Sequence, residues 1–189
     1  VDIGGGTSEV AVISLGGIVT SVSLKIAGDY FDNAIVQYIK RTQNIMIGDR
    51  TAEQIKIQIG SAYSMPEEKA MEINGRHLVT GLPKKIVITS DQIREALSDS
   101  VMTIVDCIKN TLEKTPPELA GDVKTNGILL TGGGAKLHGL DKYLEKRFNL
   151  KCEVAENPEE CVAIGTGESF GLQGYLRDCV SEANNRLHG

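Results

Sequence analysis

The spacing of apolar residues changes period several times along the chain, and each change marks an element. Over the first stretch, Val10 and Val12 alternate with Ala11 and Ile13, and Ile18 to Ile26 continues in β-rich residues. Alternation places successive side chains on opposite faces of a strand. With Gly16-Gly17 as a two-residue hairpin signal, residues 1 to 26 predict three strands in an antiparallel meander. From Tyr30 to Arg41 the period lengthens: Phe31, Ala34, Ile35, Tyr38 and Ile39 form one helical stripe. After Gly48-Asp49-Arg50, the residues Ala52, Ile55, Ile59 and Ala62 mark a second amphipathic helix with Thr51 as its N-cap. Pro66 to Lys69 is a polar link. Asn74-Gly75 then predicts a hairpin between Met71-Glu72-Ile73 and Arg76-His77-Leu78-Val79, Gly81-Leu82-Pro83 turns again, and Lys85 to Thr89 makes a third strand.

Thr89 and Gln92 have capping-box spacing before the longest helix. Its stripe of Ile93, Ala96, Leu97, Val101, Ile104, Val105, Ile108 and Leu112 ends at Pro116-Pro117. A short apolar strand, Asn126 to Thr131, runs into Gly132-Gly133-Gly134 and a helix with Leu137, Leu140, Leu144 and Phe148 inward. Cys152 to Ala155 is a last short strand. Cys161 to Gly167 is a helix of small residues suited to close packing on a sheet, and the tail from Gly171 is polar.

Composition narrows the class. With 41% apolar residues in 189, the chain can bury a core. A net charge of −5 argues against binding nucleic acid through its phosphates. It also gives no polybasic signal for a membrane surface. Cys107, Cys152, Cys161 and Cys179 show no CxxC spacing, so free thiols in a reducing cytoplasm are expected. His77, His138 and His188 lie too far apart to read as a ligand set. No apolar run approaches the ~18 residues of a membrane span. The chain opens on Val1 inside a strand-like motif, and it is expected to be part of a longer protein.

Two segments carry candidate chemistry. In the first, Asp2-Ile3 breaks into Gly4-Gly5-Gly6-Thr7 and then resumes as a strand. Such a run is most often only a turn. It also suits a phosphate, because glycine N–H groups converge on an anion with no Cβ in the way. Asp2 would then hold Mg²⁺ directly or through water, and Thr7 would add a hydroxyl. Neither the Walker A pattern nor the dinucleotide fingerprint fits. In the second segment, Gly132-Gly133-Gly134 lies between a strand and a helix, a setting for a phosphate or the edge of a nucleotide. Glu53 and Lys56 share one helix face, and a solvated ion pair is the simplest reading of them.

Two triple-glycine turns in this order of elements resemble the second half of the actin-like ATPase superfamily, which includes actins, chaperone ATPases and sugar kinases. Within it, Val1 to Val19, Ile26-Ala27-Gly28-Asp29, Ile47 to Lys56 and Gly127 to Ala135 resemble the MreB/Mbl family of bacterial actins, over residues 1 to about 167. The resemblance implies an α/β, ribonuclease H-like domain with a mixed sheet flanked by helices. Residues 1–60 and 115–170 would form the nucleotide-binding unit, 61–114 an inserted small α+β unit, and 171–189 a tail. It implies ATP or ADP with Mg²⁺ as cofactors. Gly4, Gly5, Gly6 and Thr7 would bind the β- and γ-phosphates, Glu53 and Lys56 the ribose and adenine, and Gly132, Gly133 and Gly134 the adenosine and α-phosphate. Asp2 would be the catalytic residue, acting on Mg²⁺ or the attacking water.

It further implies a filament-forming, slowly ATP-hydrolysing parent that maintains rod cell shape by organising wall synthesis. That parent would be cytoplasmic and membrane-associated, and would work with membrane-anchored cell-shape and wall-synthesis proteins. The first phosphate loop and the water-positioning carboxylate of the family lie outside this sequence, so catalysis by this chain alone is not expected. A chaperone-like or kinase-like enzyme of the superfamily is the competing reading.

Overall fold

The computed structural model describes residues 1–171. The expected meander forms from β1 (Asp2–Ile3), β2 (Ser8–Ser14) and β3 (Gly17–Leu24), all antiparallel. β1 also meets the later strand β7 (Ile128–Leu130) through a parallel bridge between Asp2 and Thr131. There Ile3 N–H donates to the Thr131 carbonyl at 2.8 Å, and Thr131 N–H to that of Val1 at 2.8 Å. β7 pairs in parallel with β8 (Cys152–Val154). The strands therefore run β3-β2-β1-β7-β8, which places the two glycine runs side by side at the ends of β1 and β7.

One face of this sheet is sealed. Ile3, Ser8, Val10, Ile128, Leu130 and Cys152 are buried, with α3 (Ser90–Glu113) packed on β2 and β3, α1 (Gly28–Gln43) packed on α3, and the later helix Leu140–Phe148 on β8. Ser8 escapes the usual cost of a buried hydroxyl by donating to the Ile26 carbonyl at 2.5 Å. On the other face Ala11, Ile13, Ile18 and Leu129 are exposed. α2 (Asp49–Ile59) packs on α1, buries Ala52, Ile55 and Ile59, and so brings its opposite face to the sheet's glycine end.

A second antiparallel sheet joins β4 (Ile45–Met46), β5 (Ala70–His77) and β6 (Pro83–Thr89). It takes its first strand from before residue 61, while α3 leans on β2, β3 and α1 as well as on β6. α3 begins with the expected capping box: Thr89 Oγ1 accepts from the Gln92 N–H, and Gln92 Oε1 from the Thr89 N–H.

The structure corrects several local expectations. The first hairpin turns at Leu15-Gly16, both with positive φ, and Gly17 is already paired with Ser14. The N-cap of α2 is Gly48, whose carbonyl receives the Thr51 and Ala52 N–H groups; Thr51 lies inside the first turn. Asn74-Gly75 is no turn. β5 runs straight through it, because Gly75 leaves the space that Ile45 and Ile47 fill. The chain reverses instead around Gly81 (φ +71°), and Pro83 opens β6 as a first strand residue rather than ending a turn. Pro116-Pro117 stops α3 but also starts α4 (Pro117–Asn126), since proline suits a first helical turn.

After Gly132 comes only a 3₁₀ turn, Gly133–Lys136, and α5 (Leu140–Phe148) starts anew beyond Gly139. The small-residue helix α6 (Cys161–Gly171) was expected to lie close on a sheet. Instead Val162 and Ile164 are exposed, and a Cβ on Gly165 or Gly167 would meet nothing. The polar tail from residue 172, with Cys179 and His188, lies outside the described residues.

Gly75 separates the strand from the turn it resembles. A Cβ there would collide with Ile45 Cγ2 and come within 2.8 Å of the Met46 carbonyl. Gly75→Val is expected to lower stability by about 1–3 kcal/mol, as overpacking does, and exposed Asn74→Ala to cost far less. Thermal unfolding of the two variants checks this; similar losses would favour a turn.

The cysteines make a second check. Burial pushes the Cys152 thiol up to about 11, helped by the Glu145 and Asp141 carboxylates. Burial also raises Cys107, which the Thr111 hydroxyl and Lys114 only partly offset. Thiolate is the reactive form, so at pH 8 roughly one Cys152 in a thousand is reactive. Alkylation of the native chain at pH 8 is expected to label half-exposed Cys161 well before Cys107 or Cys152, with Cys152 gaining as pH rises toward 11. Equal labelling by mass spectrometry would contradict the burial.

Candidate functional site

The first glycine run closes on itself: Gly4 N–H donates to the Thr7 carbonyl at 2.9 Å. The start of α1 then holds it. Gly28 N–H donates to the Gly4 carbonyl at 3.0 Å and Asp29 N–H to the Gly5 carbonyl at 2.8 Å. Two free N–H groups of a helix start, which elsewhere hold an anion, are here spent on the loop. What the loop offers outward is its own backbone. Among the described residues the N–H groups of Gly5 and Gly6 meet no acceptor, and neither do those of Gly133 and Gly134.

The second run is fitted to the first. A Cβ on Gly132 (φ +80°) would strike the Ile3 carbonyl and lie 2.8 Å from Asp2 Oδ1. One on Gly134 would strike Ile3 Cγ2. These two glycines are therefore demanded by packing. Gly6 has open space around it, Gly5 nothing nearer than 3.9 Å, and Gly133 only Glu159 at 3.7 Å, so folding does not require glycine at these three.

Between the runs lies a cleft of about 510 Å³. It brings together Gly4, Gly5, Glu53, Lys56, Gly133 and Gly134 from the expected site residues. Gly6 and Thr7 lie in the adjoining turn, Gly132 is buried behind it, and none of the three lines the cleft. Asp2 is not among the residues lining this cleft. It borders a larger cavity of about 690 Å³ along β2 and β7, and its Oδ1 accepts the Thr131 hydroxyl at 2.9 Å.

Glu53 and Lys56 share the cleft but not each other. Lys56 Nζ reaches across to α1, 2.8 Å from Asp32 Oδ2 and 3.1 Å from the Gly28 carbonyl, and Glu53 stays exposed. The solvated i,i+3 pair is thus replaced by a pair between helices. Sequence reading missed Asp32, which lies 24 positions from its partner on another helix. It also missed Lys136 and Glu159, which pair at 2.8 Å on the cleft's far side. A lysine just after a glycine run was the one available signal.

The wall near α1 and α2 carries Asp29, Asp32 and Glu53 against Lys56. Burial raises the Asp32 carboxyl above its usual range. The hydrogen bond and charge of Lys56 pull it back, and Glu53 and Asp29 push it up again. Among the described residues no group of three His, Cys, Asp or Glu side chains is placed to hold a metal. Mg²⁺ usually sits on ligand phosphates, water and one carboxylate; Asp2, at the β1 end of the first glycine run, would be that carboxylate, with one oxygen bonded to the Thr131 hydroxyl and no ion pair among the described residues.

The geometry has close counterparts. MreB5 of Spiroplasma citri, in crystal structures described as bound to ADP and to AMPPNP, superposes with TM-scores of 0.86 and 0.88 at 46% and 43% identity, over 88% and 94% of this chain and 50% and 54% of that one. The MamK double helical filament matches at 22% identity and TM-score 0.65, which speaks to the fold alone. Together these define an actin-like α/β domain. The family model described as "MreB/Mbl protein" matches residues 1–174. Cell shape-determining protein Mbl of Bacillus cereus is 50% identical over 167 residues, 88% of this chain. Cell shape-determining protein MreB of Escherichia coli is 48% identical over 172 residues, 91% of this chain. The chain belongs to the MreB/Mbl family. It spans about half the length of these relatives.

The steric division among the glycines is testable by unfolding. Gly132→Ala is expected to destabilise by several kcal/mol, through positive φ and backbone collision together, and Gly133→Ala by less than about 1 kcal/mol. Equal losses in thermal melts would mean that packing demands glycine at both positions.

Proposed function

We propose that this chain is the nucleotide-binding half of an ATP-dependent, filament-forming bacterial actin homologue that maintains rod cell shape by organising wall synthesis. One observation carries the reading. Two glycine turns with unpartnered N–H groups border the same cleft, at Gly5, Gly133 and Gly134 with Gly6 in the adjoining turn, and a Glu/Lys helix face forms its opposing wall. Backbone donors of this kind bind polyphosphate without needing a surplus of lysine. The ADP- and AMPPNP-bound state of MreB5 and the cell-shape names of the relatives support the same reading.

In this reading phosphates lie against Gly5, Gly6 and Gly133, with Gly4 and Thr7 closing the turn that holds them. Gly132 and Gly134 seat the second turn against Ile3 and so keep the two sets of donors at a fixed separation. Glu53 and Lys56 take the sugar and base. Mg²⁺, when bound, neutralises phosphate charge. Asp2, tethered by the Thr131 hydroxyl, orients a water or the ion's hydration shell from the β1 end of the loop. Residues 1–60 and 115–170 act as the nucleotide unit and 61–114 as the small unit above it.

The chain spans about half the length of its relatives, so by itself it is expected to bind nucleotide weakly and not to hydrolyse it. Turnover and filaments belong to the longer protein. There, self-association and membrane-anchored wall-synthesis partners at the cytoplasmic face complete the function. Among the described residues no helix is long and apolar enough to cross a membrane.

Titration calorimetry with ADP and Mg²⁺ tests the site. Gly133→Val, at a cleft-lining position where a Cβ meets nothing nearer than Glu159 at 3.7 Å, is expected to weaken ADP at least tenfold. Unchanged affinity would remove the second glycine turn from the site.

A further inference from the structure

Lys56 is an unexpected partner for a sugar and base, since a lysine beside a nucleotide most simply binds phosphate. Its surroundings say what it can bind. The side chains of Lys56 and Asp32 are only 18% and 13% exposed. An ammonium has three N–H donors. One is spent on Asp32 Oδ2 at 2.8 Å and a second on the Gly28 carbonyl at 3.1 Å, which leaves one for the cleft that Lys56 lines. The pair is neutral as a unit, and Asp29 and Glu53 make the wall around it acidic. A phosphate brought to this wall would meet net negative charge, whereas a hydroxyl or ring nitrogen meets one oriented donor.

We propose that Asp32 is a positioning residue that sets which end of a nucleotide Lys56 accepts. By holding the ammonium as a neutral pair with a single N–H left over, it makes Lys56 a donor to uncharged sugar and base groups and denies it to phosphate. The Gly28 carbonyl completes the placement. Gly28 N–H is bonded to Gly4, so the same residue that fixes Lys56 fixes the first glycine turn. The distance from the sugar end to the phosphate end of the cleft is thereby set through one residue of α1. Asp32 Oδ1, buried and without a partner, is not needed for this; the role rests on Oδ2. The inference depends on the nucleotide reading above.

The test uses calorimetry with three probes: ADP, adenosine and inorganic diphosphate. The proteins are the wild-type chain, Asp32→Ala, Asp32→Asn, Lys56→Met and the two double variants. Asp32→Asn keeps the side chain's shape and covers the case in which Asp32→Ala folds poorly. Removing the carboxylate is expected to weaken adenosine about fivefold or more and to tighten diphosphate about threefold, because Lys56 is released as a full positive charge. In the Lys56→Met background the same changes are expected to shift both affinities less than twofold, the signature of a residue acting through another. Asp32 variants that weaken all three probes alike, or that act equally with and without Lys56, would overturn the inference and leave Asp32 a structural residue. Should the wild-type chain bind none of the probes, the nucleotide reading of this chain fails, and the inference with it. If ADP binds but the Asp32 pattern is absent, only the inference falls.

Discussion

Everything at the glycine end of the sheet depends on how closely β7 approaches Ile3. The Ile3 backbone and side chain leave no room for a Cβ on Gly132 or Gly134. That contact brings the second glycine turn against the first, and the parallel bridge between Asp2 and Thr131 locks the register. Were the two turns a strand's width further apart, their N–H groups would belong to two sites. Placed as they are, they serve one cleft, and the buried apolar face behind them resists their separation.

The opposing wall is held differently. α1 starts on the first glycine turn, through bonds from Gly28 and Asp29 to Gly4 and Gly5. α2 is fixed to α1 by apolar packing at Ala52 and Ile55 and by the Lys56–Asp32 pair. The cleft is therefore built of backbone on one side and of an ion pair between helices on the other. This division suits a ligand with a charged end and a neutral end, and it needs no cluster of lysines.

Much of this was legible in the sequence, for reasons that differ by element. The strand meander, the helical stripe of α3 and the capping box at Thr89 are local patterns, and local patterns survive into the fold. The resemblance between motifs supplied the family and the pairing of the two glycine runs, which no periodicity could show. The misread places depended on contacts distant in sequence. Asn74-Gly75 has the chemistry of a turn, but Ile45 and Ile47 need the space above Gly75, and the strand continues. Thr51 has the chemistry of a cap, but the break falls at Gly48. Glu53 and Lys56 have ion-pair spacing, yet a carboxylate on the neighbouring helix takes the lysine. The tether of Asp2 to the Thr131 hydroxyl joins residues 129 positions apart, and no local pattern announces it.

The central claim is that the four unpartnered glycine N–H groups and the α2 wall bind one ligand together. The most direct measurement is an amide NMR titration of the chain with ADP and Mg²⁺. The account predicts saturable shifts at Gly5, Gly6, Gly133 and Gly134, with Glu53 and Lys56 moving along the same binding curve. Shifts confined to one glycine turn, or centred on the cavity along β2 and β7, would contradict it.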